Sequence, residues 1–373
     1  MRELHSRLRN EFRFANLGIT FTHGRVTEML KIALDATYSV GDRLSGVGVY
    51  SREILWGLPA THREARFLYC YRPHRFVRSF ESFPPKGARR TLLFDGWNIE
   101  RPDLFHGLNQ RLPKVRFPRT VSTFHDLFVL TGDYSTPEFR ARFAAQARDA
   151  AARSDLIIAV SAFTAAQVED LLRIPKERLR VIPHGVRFVP GNGPPVKKEK
   201  IILHAGAIQK RKNIVRLVTA FEAMEPGWKL VLAGSEGFGA SEIFDRIDRS
   251  PRRQSIHTPG YLPDAQLQSL YERASMFVFP SLDEGFGIPV LEAMANGVAV
   301  ITSNRSSLPE VAGDAAILVD PENGGELLFA MKTLASQEGL RRELVERGIA
   351  RASQYTWQRA VESTWNVYKE LLD

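Results

Sequence analysis

Two carboxylates, Glu284 and Glu292, lie eight positions apart in the stretch EGFGIPVLE, with two glycines and a proline between them. The preceding apolar run, MFVFPS, predicts a buried strand, and Pro289 suits the first turn of a helix. Glycines at such a turn let backbone N–H groups approach a ligand closely. The stretch therefore predicts a cleft in which both carboxylates accept hydrogen bonds from hydroxyl groups, as sugars offer them. One carboxylate complementing a helix dipole and another facing solvent would leave the glycines unexplained.

Two cations, Arg211 and Lys212, follow a second apolar run, IILHAG, just before a helix that is expected to start at Asn213. A helix N-terminus carries partial positive charge and free N–H donors. Two cations beside it predict a diphosphate site, although an unliganded basic loop would carry the same residues.

Short apolar runs alternate with helical patterns from Lys31 onward, which indicates parallel sheets covered on both faces. In such sheets ligands bind at the carboxyl ends of the strands, where the glutamates and the cations fall. The alternation is interrupted by a linker rich in Gly, Pro and Lys, residues 187–200. The sequence therefore predicts two doubly wound α/β domains, 29–186 and 201–355, and a final helix, 356–373. Ser161 is predicted to cap the helix AFTAAQVEDLL.

The final helix carries Trp357, Val361, Trp365 and Tyr368 on one stripe, so that face is expected to be buried. Residues 1–28 are polar and basic and offer no periodic apolar face. They are expected to form a poorly ordered extension.

Composition bounds the class of protein. A chain of 373 residues with 44% hydrophobic residues fits two folded domains. A single cysteine, Cys70, excludes an internal disulfide and fits a reducing compartment. No apolar run reaches the roughly 18 residues that cross a bilayer. These features predict a soluble cytoplasmic protein.

Positive charge is concentrated in the first half of the chain. Residues 1–185 hold 29 Lys and Arg against 19 Asp and Glu, whereas the remainder holds 22 against 23. Clusters such as YRPHRFVRSF, KGARR and RLPKVRFPR suit an anionic partner, for example lipid headgroups, phosphorylated acceptors or nucleic acid. A solvated basic surface is the equal alternative.

The stretch EGFGIPVLEAMANGVAVITSNRSSLPEVAGDAAILVDPEN resembles the nucleotide-binding core of retaining GT-B glycosyltransferases of family 4. Other segments resemble the family in the expected order: VSAFTAAQV, VIPHGV, GAIQKRKN, GYLPDAQLQSLYERASMFVFPS and TWQRAVESTWNVYKELL. The resemblance covers Met29 to the C-terminus. It is strongest to the mannosyltransferase-rich branch that builds bacterial surface polysaccharides and lipid-linked glycans.

The resemblance implies a GT-B fold: two Rossmann-like domains facing across a cleft, with the last helix crossing back to the N-terminal domain. It implies transfer of a hexose, mannose first, from GDP-mannose or a UDP-sugar to a glycan or polyprenyl-diphosphate-linked acceptor, with retention of configuration. No cofactor and no metal are expected, and no nucleic acid. The expected place is the cytoplasm, peripheral to an anionic inner membrane face.

The resemblance also implies roles for single residues. Glu284 would contact hydroxyls of the donor sugar and Glu292 the ribose, while Arg211 and Lys212 would neutralise the departing diphosphate. His125, with its neighbour Asp126, would reach the reacting sugar. Gly46 and Gly48 would lie in a loop that closes over the phosphates, and Gly206 would bind the donor at the end of a strand. Tyr261 and Leu262 would lie at the nucleotide base. The backbone amides of Gly285, Phe286 and Gly287 would contact the sugar or the diphosphate.

One departure from the family pattern stands out, because Ala207 follows Gly206 where many relatives have an arginine.

Three other classes of protein compete with the transferase. A dinucleotide-dependent oxidoreductase is disfavoured because no G-x-G-x-x-G follows the first strand with an acidic residue about 20 positions on. A GT-B sugar-nucleotide epimerase and a non-catalytic sugar-binding module stay as alternatives.

Overall fold

The computed structural model describes residues 19–22, 25–96, 100–187 and 196–373. By their contacts, the residues divide into two compact units, the first made of Met1–Leu108, Leu112–Val121 and Trp365–Asp373, the second of Asn109–Arg111 and Ser122–Thr364. These bounds differ from the predicted domain boundaries, which stay predictions. Within the predicted N-terminal extension, β1 (Ile19–Thr22) pairs antiparallel with β2 (Arg25–Glu28), and residues 1–18, 23 and 24 lie outside the described residues.

A seven-stranded sheet contains the apolar runs of the first half of the chain. Its strands are β3 (Leu30–Asp35), β4 (Ala65–Tyr71), β5 (Ala88–Leu92), β6 (Leu104–Gly107), β7 (Thr120–Phe124), β8 (Leu156–Ala159) and β9 (Leu179–Val181). Their order is β5-β4-β3-β6-β7-β8-β9, and β3 pairs in parallel with both β4 and β6. The helices of this part are α1 (Gly46–Thr61), α2 (Pro73–Phe76), α3 (Phe128–Thr131), α4 (Pro137–Arg153) and α5 (Ala162–Leu172).

The second sheet has six strands: β10 (Glu199–Ala205), β11 (Lys229–Ala233), β12 (Ile256–Gly260), β13 (Ala274–Phe279), β14 (Ala299–Ser303) and β15 (Ala316–Val319). Their order is β12-β11-β10-β13-β14-β15, and every pair is parallel. The accompanying helices are α6 (Ile214–Glu222), α7 (Ala240–Asp248), α8 (Asp264–Arg273), α9 (Ile288–Ala295), α10 (Leu308–Ala312), α11 (Gly324–Ser336) and α12 (Glu338–Ala352).

Alternate residues of the second sheet pack into different cores. Ile202 and Val278 belong to one buried cluster, whereas Leu203 and Phe277 belong to another. Successive side chains of a strand point to opposite faces, so both faces of this sheet are covered. The predicted doubly wound α/β class is confirmed.

Two predicted helix starts can be compared with the structure. Ser161 caps α5 as predicted, its side chain accepting a hydrogen bond from the Thr164 amide at 3.0 Å. The prediction that Gly46 and Gly48 lie in a loop is wrong, because both lie in the first turn of α1. Ser45 caps that helix, because its side chain accepts a hydrogen bond from the Gly48 amide at 3.3 Å. The loop therefore ends at Ser45.

The last helix, α13 (Trp357–Leu372), buries Val361, Trp365 and Tyr368 of the predicted stripe, and Trp357 is half-buried. Within the first unit, the Trp365 ring stacks on His62 at 4.3 Å between centroids, and the Tyr368 hydroxyl shares a 2.6 Å hydrogen bond with His106 of β6. The end of the helix thus returns to the N-terminal sheet, as predicted. Across the described ranges, no helix combines the length and the apolar character that a membrane crossing requires.

Candidate active site

Loops from two neighbouring strands of the second sheet form the centre of the site. Arg211 and Lys212 lie in a short 3₁₀ turn, Lys210–Lys212, that follows β10, and Glu284 follows β13. Because β10 and β13 pair in parallel, their carboxyl ends lie at the same edge of the sheet. The predicted cations and the first predicted carboxylate therefore meet.

Glu284 is held between both cations. Its Oε2 lies 2.9 Å from Arg211 Nη1 and its Oε1 lies 2.5 Å from Lys212 Nζ, and all three side chains are buried. Burial alone would raise the pKa of Glu284, but the charges of Arg211 and Lys212 outweigh it and lower the pKa to about 2. Glu284 is a carboxylate throughout the physiological range and serves as a hydrogen-bond acceptor.

The two cations are poorly solvated. The Arg211 guanidinium lies 4.3 Å from the ring centroid of Phe128, and Lys212 Nζ lies 4.6 Å from that of Phe279. Burial lowers the pKa of Lys212 to about 8, although Glu284 opposes the shift. Among the described residues, Arg211 Nε is buried without an acceptor. Two cations share the single carboxylate of Glu284, so the three side chains together keep a positive charge that suits an anionic group in a site of low polarity.

The backbone after Glu284 is oriented by three hydroxyl side chains. Ser307 Oγ donates to the carbonyl oxygens of Glu284 at 2.8 Å and Phe286 at 2.7 Å. The Gly285 carbonyl accepts from Ser161 Oγ at 2.7 Å and from Thr164 Oγ1 at 3.0 Å.

These bonds fix the carbonyl groups of the loop on the protein side. For the amides of Gly285, Phe286 and Gly287, no acceptor occurs among the residues that the structure describes. Three successive amides of this kind suit oxygen atoms of a sugar or a phosphate. The sequence predicts Ser161 only as a helix cap and does not single out Ser307, because hydroxyl-to-carbonyl contacts over such sequence distances leave no local pattern.

His125 and Asp126 follow β7 and lie against the same loop. A Cβ atom built on Gly285 would lie 1.7 Å from the His125 carbonyl oxygen, so the two backbones are in direct contact. The pKa of Asp126 is raised to about 6 by burial, with Arg211 opposing the shift and Glu284 adding to it. Asp126 therefore senses the charges of the site, and the structure brings the histidine–aspartate pair to the glutamate loop.

A second histidine, His184, joins this cluster. Its ring lies 5.4 Å from that of His125 and 5.0 Å from that of Phe286, between centroids. Burial lowers the pKa of His184 well below its usual value, so the ring is neutral. His184 supports His125 from the segment VIPHGV, whose family resemblance was the only signal available.

Glu292, on α9, has its own partners. Its Oε1 lies 3.3 Å from Arg187 Nε, and its Oε2 accepts from the Tyr271 hydroxyl at 3.0 Å. Burial raises the pKa of Glu292 to about 7, although Arg187 and Tyr271 oppose the shift. Arg187 also pairs with Asp264 at 3.0 Å. The two glutamates thus belong to separate polar clusters.

The remaining predicted residues are located as follows. Gly206 follows β10 with φ +147°, a conformation that favours glycine, and Tyr261 and Leu262 follow β12 at the edge of the same sheet. Gly46 and Gly48 belong to the first compact unit. A Cβ atom on Gly48 would lie 2.8 Å from the Tyr38 carbonyl oxygen, so close packing alone accounts for a glycine at this position.

Comparisons with known proteins identify the family of the chain. A model described as Glycosyltransferase Family 4 matches residues 46–188, and one described as Glycosyl transferases group 1 matches residues 190–351. O-antigen chain mannosyltransferase B of Escherichia coli is 29% identical over 90% of this chain and 99% of its own length.

Two solved structures share the architecture. Sucrose-phosphate synthase of Thermosynechococcus elongatus aligns with a TM-score of 0.74 and 20% identity, over 92% of this chain and 99% of its own. HepE of Anabaena, in complex with UDP-glucose, aligns with a TM-score of 0.70 and 16% identity, over 92% and 100%. At these identities the likeness shows the fold, which is GT-B. The two family models together match most of residues 46–351, so the chain belongs to family 4 of the glycosyltransferases and is an enzyme of that class.

Proposed function

We propose that the chain transfers a hexose from a nucleotide-sugar to a glycan or lipid-linked acceptor, with retention of anomeric configuration, in surface polysaccharide or glycolipid synthesis. The main support is the cluster of Glu284, Arg211 and Lys212 beside three amides that have no acceptor in the described part of the chain. Cations and amides suit the diphosphate, and a permanently ionised carboxylate suits the hydroxyls of the sugar.

Mannose is the first candidate sugar and GDP-mannose the first candidate donor. The Escherichia coli relative is named a mannosyltransferase of the O-antigen chain, which supports both the sugar and the polysaccharide product. HepE was solved with UDP-glucose, so UDP-sugars are the second candidates.

The proposed chemistry is same-face substitution. The acceptor hydroxyl attacks the anomeric carbon as the bond to the diphosphate oxygen breaks, and the hydroxyl proton passes to that oxygen. Arg211, Lys212 and the amides stabilise the charge that develops on the leaving group. Glu284, paired with both cations at a pKa of about 2, is suited to positioning the sugar through its hydroxyls and ill suited to attack it.

The test begins with binding. GDP-mannose, UDP-glucose and an ADP-sugar are compared for the rise in unfolding temperature that a ligand of the folded state causes. Release of nucleoside diphosphate is then measured with and without a glycan acceptor, and the anomeric configuration of the product is read by NMR. Acceptor-dependent release and a product of retained configuration are expected. Interconversion of the nucleotide-sugar would favour the epimerase, and a thermal shift without turnover would favour a binding module.

Glu292→Gln is expected to weaken nucleoside diphosphate binding by about tenfold while kcat changes much less. The reason is that an amide offers one acceptor oxygen and no charge, where the carboxylate accepts through both oxygens, a loss of about 1–3 kcal/mol. Isothermal titration gives the affinity and initial rates give kcat. Tyr271→Phe is the matched control, since it leaves the carboxylate but removes the donor at 3.0 Å, and a smaller effect in the same direction is expected. A fall in kcat as large as the loss of affinity would contradict the ribose role.

The acceptor is proposed to be anionic or held at an anionic membrane. The excess of Lys and Arg in residues 1–185 supports this, because a nucleotide-sugar needs cations only at its diphosphate. The segment RLPKVRFPR carries four such residues with exposed or half-buried side chains: Arg111, Lys114, Arg116 and Arg119. Binding through them should weaken as salt rises.

A further inference from the structure

A row of apolar side chains projects into solvent from the segment after β4. Val77 is 81% exposed, Phe80 59% and Phe83 83%. Val77 and Phe80 lie in a 3₁₀ turn, Val77–Glu81, that continues α2, and Phe83 follows at the same spacing of three. Because side chains three positions apart eclipse in a 3₁₀ turn, Val77 and Phe80 share one face. Exposed apolar residues in a row call for a partner.

The backbone that carries this row is held in place by hydrogen bonds. Ser79 is fully buried between Val77 and Phe80, and its hydroxyl donates to the Phe76 carbonyl at 2.6 Å. Arg90, on β5, donates from Nε to the Ser79 carbonyl at 3.1 Å, and its guanidinium lies 4.8 Å from the ring centroid of Phe80. The apolar side chains are thus presented by an anchored backbone.

Cations surround the row. Residues 72–90 contain six Lys or Arg and one acidic residue: Arg72, Arg75, Arg78, Lys86, Arg89, Arg90 and Glu81. Arg72 is buried and pairs with Asp95 at 2.8 Å, Arg78 pairs with Asp42 and with Glu81, and Arg89 pairs with Glu100 at 2.6 Å, so about half of these cations are neutralised. The balance is still positive, and it complements an anionic surface.

The apolar surface extends to α1. Trp56, 47% exposed, and Phe83 line one cavity of about 370 Å³, together with Arg52, Tyr71 and Arg78. A tryptophan with about half of its surface exposed is typical of side chains at the headgroup level of a bilayer.

We propose that residues 73–84 form the membrane-contact segment of this enzyme, with Val77, Phe80 and Phe83 entering an anionic bilayer and the arginines meeting its headgroups. Such apolar faces lie about 5–10 Å deep, at the boundary of headgroups and acyl chains. This inference rests on the proposed lipid-linked or membrane-held acceptor, and adds an apolar, salt-resistant component to the electrostatic one.

The test uses flotation of the full chain with vesicles of phosphatidylcholine alone or mixed with phosphatidylglycerol, at low and high salt. The wild-type chain should bind the mixed vesicles and keep part of that binding at high salt. Val77→Ser/Phe83→Ser should lose the salt-resistant part and bind about tenfold more weakly, since two apolar side chains no longer enter the bilayer. Phe83→Trp should keep it.

Phe329→Ser is the matched control, because Phe329 is 73% exposed on α11, outside the proposed segment, and should float like wild type. Release of nucleoside diphosphate with a soluble acceptor should be unchanged in all these variants. Wild-type flotation of Val77→Ser/Phe83→Ser at high salt would overturn the proposal, and so would loss of its activity on a soluble acceptor. If flotation follows expectation but no variant releases nucleoside diphosphate, the proposed transferase activity fails and the membrane segment stands.

Discussion

Lys212→Ala is expected to lower kcat by about 10²- to 10³-fold, the loss that follows removal of one preorganised group at a developing negative charge. Lys212 Nζ is buried, lies 4.6 Å from the Phe279 ring centroid and reaches Glu284 at 2.5 Å. A cation in such a site is poorly screened, so its interaction with a departing diphosphate is strong. Affinity for the free nucleoside diphosphate should fall less, because the charge on the leaving oxygen grows as the bond breaks.

The same residue predicts the alkaline side of the pH profile. Burial lowers the pKa of Lys212 to about 8, so the ammonium is present below that pH and is lost as pH rises through it. Because kcat/KM reports the ionisation of the free enzyme, it should fall above about pH 8. Lys212→Arg is the matched variant, since a guanidinium stays charged and should move the fall to higher pH, even at a lower maximum rate.

Initial rates between pH 6 and 10 give kcat and kcat/KM, and titration with the nucleoside diphosphate gives its affinity. Thermal unfolding serves as the control that Lys212→Ala is folded at the assay temperature. Equal losses in affinity and in kcat, or an alkaline fall that Lys212→Arg leaves in place, would assign Lys212 to binding or to structure.

Gly285→Ala is expected to abolish turnover and to lower the unfolding temperature. The added Cβ atom would lie 1.7 Å from the His125 carbonyl oxygen and 2.9 Å from Asp126 Cβ, neither of which is the end of a flexible side chain. The backbone must therefore move, and with it the loop that presents Glu284 and the three amides. Misplacement of reacting groups by a fraction of an ångström is costly in rate.

Gly339→Ala provides the control for Gly285→Ala. Gly339 lies in the first turn of α12, and a Cβ atom built there meets nothing within 4 Å. Alanine should stabilise that helix by up to about 1 kcal/mol and leave turnover unchanged. A Gly285→Ala enzyme with wild-type kcat and unfolding temperature would show that the loop and the His125 backbone separate easily.

Local patterns in the sequence were sufficient for much of the fold and for part of the site. Apolar alternation predicted the strands, and glycines with Pro289 predicted the turn before α9, because these features depend on near neighbours. The same local reasoning should have found the start of α1, since Ser45 is a good N-cap three residues before the amide it binds.

Contacts between distant segments could not be predicted. Arg187 reaches Glu292 across 105 positions, and Ser161 reaches the Gly285 carbonyl across 124. Nothing in the residue types says which cation will meet which carboxylate, because any arginine fits any glutamate. The sequence therefore predicted both glutamates for one site but not their partners, which form two separate sets in the structure.

The pairing of Glu284 with two cations has a consequence for release of the nucleoside diphosphate product. In the proposed reaction the donor replaces this internal ion pair, since its diphosphate binds the two cations while its sugar hydroxyls bind the carboxylate. After transfer, the sugar is gone and Glu284 loses those hydroxyl donors, so the carboxylate competes again with the nucleoside diphosphate for Arg211 and Lys212. Glu284 is thus expected to act as an internal competing anion, which favours release of the nucleoside diphosphate and weak product inhibition.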